Sequence, residues 1–288
     1  MDTDWLARAF EQQYYLIPAD THELRCTAYH LRYRVYCREF GFEQEKDCPG
    51  QLESDVFDAQ SQHCLLMDQR TGSAIGCVRI IHPHPHGNHP LTFEKFCRDA
   101  FDSRTRALVA RQRETVGECS RLAVAREFRR ASHPRHACGR SAVAAPQPQA
   151  LQNAYPVTSL GLFLAANAMF YYSDLEYCVA MMEPRLARLL RACGIRFEQA
   201  GTLLDYHGRR APFMIGHDDI MRYFKSEVRT LMELILDQLH PRSWGATAKG
   251  EPLFSGHHHP TAPLSTSEAE PLPPSAGQHH DDYVDDHR

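Results

Sequence analysis

Apolar side chains at Leu24, Ala28, Leu31 and Val35 recur three and four positions apart, which predicts an amphipathic helix within residues 20–40. Two largely apolar runs, HCLLMDQ (63–69) and AIGCVRIIHP (74–83), are separated by Arg70, Thr71, Gly72 and Ser73 and predict an antiparallel hairpin. GECSRLAVA (117–125) predicts a further strand. Residues 157–172 have the length and apolar content of a buried helix, and a short strand follows from Tyr177 to Met182. Pro184 then opens a helix that Gly194 stops. Residues 196–200 and 211–215 read as two more strands and 218–240 as a terminal helix. Helices and strands in this order predict a mixed sheet covered on both faces.

The pattern breaks twice. From about Pro241 the chain is rich in proline, serine, histidine and acid, with little apolar periodicity, and such a segment buries too little surface to offset its ordering entropy. Residues 132–156 are rich in proline and small side chains and read as an irregular insertion. The expected organisation is therefore one folded domain over 1–240 and a tail over 241–288. The tail holds three lysines and arginines against seven acids, leaving 29 against 29 in residues 1–240, so the net charge of −4 belongs to the tail.

Composition adds mainly exclusions. Of 288 residues, 43% are hydrophobic, enough for one sizeable core. No apolar run approaches the ~20 residues that cross a bilayer, and acids and glutamines occupy the start of the chain, so a cytoplasmic protein is expected. Ten cysteines include no C-x-x-C pair, and Cys64, Cys77 and Cys178 sit in apolar runs, as small hydrophobes do in a reducing compartment. Cys119 is the one nearest the chemistry discussed below and the alternative site for a covalent acyl group. His82, His84, His86 and His89 alternate with prolines in HPHPHGNHP, without a cysteine or carboxylate to complete a metal site, so a solvated loop is expected and no metal.

Four blocks follow one another in order: LRYRVYCREFGFE (31–43), ESDVFDAQSQHCLL (53–66), IGCVRIIHP (75–83) and GECSRLAV (117–124). Together they resemble the signature of the acyl-homoserine-lactone synthases. Across residues 14–215 the chain resembles still more the acyltransferases associated with the PEP-CTERM/exosortase system, including VAMMEPRLARLLRACGIRFEQAGTLLDYHGRRAPF near the end. The resemblance implies a GNAT-like fold, an α/β three-layer sandwich whose mixed, mostly antiparallel sheet is flanked by helices. It also implies that Arg32, Asp55, Asp58, Arg79, Glu118 and Arg121 line the acceptor side of a cleft walled by Tyr36 and Phe42. Carboxylates there suit an ammonium group and arginines a carboxylate, while transfer to an amine needs a base to take its proton. Phenylalanine stands at 42 where those synthases usually have tryptophan, and Leu122 where they usually have phenylalanine, which puts the acceptor in question.

An ion-pair network fixing the first helix to the sheet is the competing reading of Arg32 with Asp55 or Asp58. For Glu118 catalysis is favoured, since an acid in an apolar strand has its pKa raised by burial. Glu118 and Arg121 are three apart, so strict alternation sends them to opposite faces; if both line one cleft, the strand carries a bulge near Cys119 or Ser120 that splays two strands apart.

The stretch after this strand lacks the glycine-rich turn that cradles a coenzyme A pyrophosphate. It holds Arg121, Arg126, Arg129, Arg130, Arg135 and Arg140 against one acid, Glu127, and more arginines follow at 185, 188 and 191. Such a rim suits docking of an acidic acyl carrier protein. The expectation is an N-acyltransferase that takes a fatty acyl group from acyl-phosphopantetheine on acyl carrier protein, or from acyl-CoA, to a small amine, with no permanently bound cofactor and no nucleic-acid partner. An acyl-homoserine-lactone synthase using S-adenosylmethionine, an ordinary coenzyme A-dependent acetyltransferase and a GNAT-like acyl-binding module without turnover are the alternatives.

Overall fold

The computed structural model describes residues 3–84, 90–129 and 157–243, all within one compact unit. The expected insertion, all but the first residues of the expected tail, His86, His89 and Arg130 lie outside the described residues.

Helix α1 (Trp5–Glu11) leads into β1 (Tyr14–Pro18), two elements the apolar pattern left unassigned. Helix α2 (His22–Arg32) starts where the Thr21 hydroxyl accepts from the Leu24 amide at 3.3 Å. It continues as a π-helical segment over Tyr33–Glu39, so the predicted helix is present but widened in its second half. The predicted hairpin is β2 (Ser61–Asp68) and β3 (Ala74–Ile81). Helices α3 (Thr92–Phe96) and α4 (Ser103–Arg111) follow; Asp102 caps the latter, accepting from the Thr105 amide at 2.7 Å. Then come β4 (Val116–Val124), α5 (Arg126–Arg129), α6 (Val157–Tyr171), β5 (Tyr177–Met182) and α7 (Pro184–Cys193). Strands β6 (Glu198–Gln199), β7 (Leu204–Asp205) and β8 (Arg209–Gly216) precede α8 (Ser226–Gln238). The terminal helix begins eight residues later than the pattern predicts, because His217–Asp219 form a separate 3-10 turn.

The sheet runs β1-β2-β3-β4-β5-β8-β6, with β7 attached to β8. Among the described residues only β4 and β5 pair in parallel; the other pairings are antiparallel. Side chains alternate across it. Val78 and Ile80 join the larger core under α1, α6, α7 and α8, whereas Cys77 and Ile81 face α2 and the α3–α4 segment. Helix α6 is buried on nearly every side, as its apolar run predicts. Its Gly161 admits the ring of Phe10, since a Cβ there would lie 2.4 Å from that ring. Gly194 ends α7 at φ +91, where a Cβ would lie 2.1 Å from the Tyr223 carbonyl oxygen. No helix among the described residues is long and apolar enough to cross a membrane.

Candidate active site

The centre of the sheet departs from regular pairing in two places. On the β3 side, Cys77 pairs with Ala123 and Arg79 with Ser120, so Val78 alone faces both Arg121 and Leu122. This is a β-bulge, and its first residue, Arg121, has φ +52, a conformation few side chains other than glycine adopt. The bulge is held from α2's π-helical extension, where the Tyr36 hydroxyl donates to the Leu122 carbonyl at 2.9 Å. It lies one to two residues beyond the position that spacing suggested, and it has the consequence expected of it. Arg79 donates to the Ser120 hydroxyl at 3.0 Å, and Arg79 and Arg121 both pair with Asp55, so Arg121 shares the face of Ser120 and Glu118.

On the other side, the β4–β5 ladder ends at Cys119 and Ala180, although both strands continue. A cleft of about 540 Å³ opens there. Residues 118–124 and 180–182 form its floor; Tyr36, Phe40 and Phe42 wall one end, and Phe163, Leu186 and Leu189 line its apolar back. Phe42 stacks on Phe40 at 5.1 Å and meets His207 at 4.7 Å.

Glu118 reaches this cleft with only 3% of its surface exposed. The Phe93 amide donates to its Oε2 at 3.1 Å. Burial pushes its pKa up to about 7, against the pull of that hydrogen bond and of Arg79 and Arg121. A carboxylate so placed changes protonation near neutrality, as a general base must. The neighbouring Cys119 also lines the cleft, but burial, and secondarily the Glu118 charge, pushes its thiol up to about 12. That leaves almost no thiolate for a covalent step.

The residues named with Glu118 separate into two sets. Tyr36, Phe42 and Arg121 line the cleft; Arg32, Asp55, Asp58 and Arg79 lie beneath it in an ion-pair network. Arg32 pairs with Glu53 at 2.5 Å and Asp58 at 2.6 Å, and Arg79 with Asp55 at 2.7 Å and Asp58 at 2.6 Å. Arg121 joins the network to the cleft through Glu53 at 3.1 Å, Asp55 at 3.2 Å and Glu43 at 3.3 Å. Burial alone would raise the carboxyls of Glu53, Asp55 and Asp58, but the arginines outweigh it and hold all three below the usual range. His63 stands 3.5 Å from Asp58, and burial pulls its pKa down to about 4, so it adds no charge at neutral pH.

Glu53 completes the network, and the pattern passed over it although it opens the block that supplied Asp55 and Asp58. Tyr206, His207 and Arg210 also line the cleft from the hairpin of β7 and β8. Their only sequence signal is the block LLDYHGRR, whose tyrosine, histidine and glycine look like an ordinary turn.

The arginine rim is present in part. Arg126 is exposed on α5, Arg129 pairs with Glu39 and lies 4.7 Å from the Phe40 ring centre, and Glu127 pairs with Arg34 at 3.1 Å. Arg185, Arg188 and Arg191 are exposed along one face of α7. Of the histidine run, His82 is half-buried beside Gln62 at 3.2 Å, and desolvation pulls its pKa down to about 4.

A mixed sheet parted over a buried carboxylate thus carries the candidate chemistry. Residues 31–138 match the family described as an acetyltransferase (GNAT) domain, and the protein is an acyltransferase with a GNAT fold. Its structure is similar to that of TofI, crystallised in a ternary complex with an inhibitor and MTA, at 17% identity and a TM-score of 0.50, over 75% of this chain and 96% of TofI. It is also similar to FeeM, an N-acyl amino acid synthase from uncultured soil microbes, at 12% identity and a TM-score of 0.49, over 73% of this chain and 94% of FeeM. BjaI, a CoA-dependent acyl-homoserine lactone synthase with SAM and isopentyl-CoA bound, is similar at 14% identity and a TM-score of 0.48, over 77% of this chain and 89% of BjaI. No curated protein matches the chain by sequence.

Proposed function

We propose that this acyltransferase moves a fatty acyl group from the thioester of acyl carrier protein, or of coenzyme A, to a small amine such as an amino acid, in the cytoplasm. The observation that carries the reading is Glu118, enclosed at the point where β4 and β5 part, with a pKa of about 7. The amine nitrogen attacks the thioester carbon while Glu118, directly or through a water, takes its proton. Backbone amides beyond Cys119, released from pairing with β5, are available to hold the oxyanion. The C–S bond then breaks, giving an amide and a free thiol. The apolar back of the cleft suits an acyl chain, and the exposed arginines of α5 and α7 support docking of an acidic carrier, with Arg129 bracing the Phe40 wall. The resemblance to exosortase-associated acyltransferases supports a role for the product in that system.

The test is to incubate the purified protein with acylated carrier protein, or acyl-CoA, and a pool of amino acids and other amines, and to follow N-acyl products by mass spectrometry. A new N-acyl amine with matching thiol release is expected. Thioester binding without any product would make the protein a non-catalytic acyl-binding module, and formation of a homoserine lactone would make S-adenosylmethionine the acceptor.

A further inference from the structure

The arginines expected to fork an acceptor carboxylate already hold internal ones: Arg32 has Glu53 and Asp58, Arg79 has Asp55 and Asp58, and Arg121 has Glu43, Glu53 and Asp55. Arg210 differs. It stands in β8 opposite Leu204, half-buried, and lines the same cleft as Glu118. Its Nε is enclosed and has no hydrogen-bond partner among the described residues, and none of their carboxylates lies within ion-pair distance of it. Its guanidinium carbon lies 6.0 Å from the centre of the Phe42 ring. A second orphan faces the same space. The Thr92 hydroxyl is buried without a partner on the cleft wall, one residue before the amide that holds Glu118. Donors enclosed without partners are costly, and two of them around one cleft mark where a ligand's acceptor atoms complete the structure.

We propose that Arg210 receives the carboxylate of the acceptor, so that the substrates are compounds carrying a carboxylate beside the reactive amine, α-amino acids as a class. This rests on the acyl-transfer reading above and adds to it the group that selects the acceptor. Cys97, Glu118 and Arg210 line the same cleft, so base and guanidinium open onto one space. An α-amino acid spans the two: its nitrogen faces Glu118 and its carboxylate the guanidinium, a charge-assisted contact that an amide or a decarboxylated amine does not make.

The experiment compares, with one acyl thioester, the twenty common L-amino acids and S-adenosylmethionine with the carboxamide and the decarboxylated amine of each acceptor used. In the wild-type protein the acid is expected to exceed its amide in kcat/KM, and Arg210→Gln to shrink that ratio roughly 10- to 100-fold, with Arg210→Lys recovering part of it. Thermal shifts on adding the same compounds to wild-type and variant proteins run in parallel. Turnover with acid and amide alike, or an unchanged ratio in Arg210→Gln, overturns the assignment of Arg210 and leaves the acyl-transfer reading standing. Absence of turnover together with an Arg210-dependent thermal shift by the acids and not the amides overturns acyl transfer and retains the carboxylate site. Absence of both overturns both.

Discussion

The Tyr36 hydroxyl donates to the Leu122 carbonyl at 2.9 Å, so a π-helical residue holds the bulge of the central strand. The helix widening and the strand irregularity meet at one hydrogen bond, and Arg121, with φ +52, sits directly before it. Tyr36→Phe keeps the ring and leaves that carbonyl unpaired in an enclosed place. A loss of about 1 kcal/mol is expected, read as a fall of a few degrees in Tm. A larger proportional loss of turnover than of stability would show that the bulge positions Glu118 and Arg121. An unchanged Tm would mean that the rest of the bulge is held without Tyr36.

Glu118 sets the pH dependence. The base works as carboxylate, so kcat/KM should rise with pH and level off above about 7, and Glu118→Gln should remove that rise and lower the rate by a factor on the order of 10²–10⁴. Stability moves the other way. A carboxyl whose pKa rises from 4.5 to about 7 on folding favours the folded state below 4.5, and this contribution is lost as pH climbs through 7. Its full size is on the order of 3 kcal/mol. Urea unfolding of the wild-type protein and Glu118→Gln across pH 4.5–7.5 checks the sign, the variant having the flatter profile.

Asp58 is the common partner of Arg32 and Arg79. Asp58→Asn leaves two enclosed guanidinium groups short of a charge and should cost roughly 3–5 kcal/mol in chemical denaturation. Because the folded pKa of Asp58 is depressed, its contribution is present above the unfolded value of about 3.9 and is lost as pH falls towards the folded value. The acid limb of the wild-type stability curve should therefore be steeper than that of the variant.

Charge reversal at Arg126 and Arg188, exposed on α5 and α7, should raise KM for acylated carrier protein several-fold and leave KM for a short pantetheine thioester nearly unchanged. Added salt should shrink the difference, since exposed charges are screened within about 10 Å at 0.1 M. Equal effects on both donors would assign these arginines to the fold.

Periodicity located the central elements because burial imposes it. The hairpin, β4, α6, β5 and α7 emerge at nearly their predicted bounds, the last closed by Gly194 at φ +91. Helices α3 and α4 were not legible, being short elements among charged residues with few buried positions. In the site, burial in an apolar strand singled out Glu118. The division of the arginines was hidden, because which carboxylate an arginine meets depends on tertiary contacts between residues up to 78 positions apart, as for Arg121 and Glu43. Arg210 was hidden for the same reason: an arginine just past a turn looks like surface until β8 takes its place beside β5.

The end of the β4–β5 ladder at Cys119 and Ala180 also bears on how the protein behaves when idle. Each strand runs on with main-chain groups that its neighbour no longer satisfies, an open sheet margin inside the molecule rather than at its rim. A thioester arm lying along those strands would supply the missing partner and stabilise the fold by mass action, in proportion to the logarithm of its concentration. The abundance of active enzyme in the cell would then follow the supply of acyl donor.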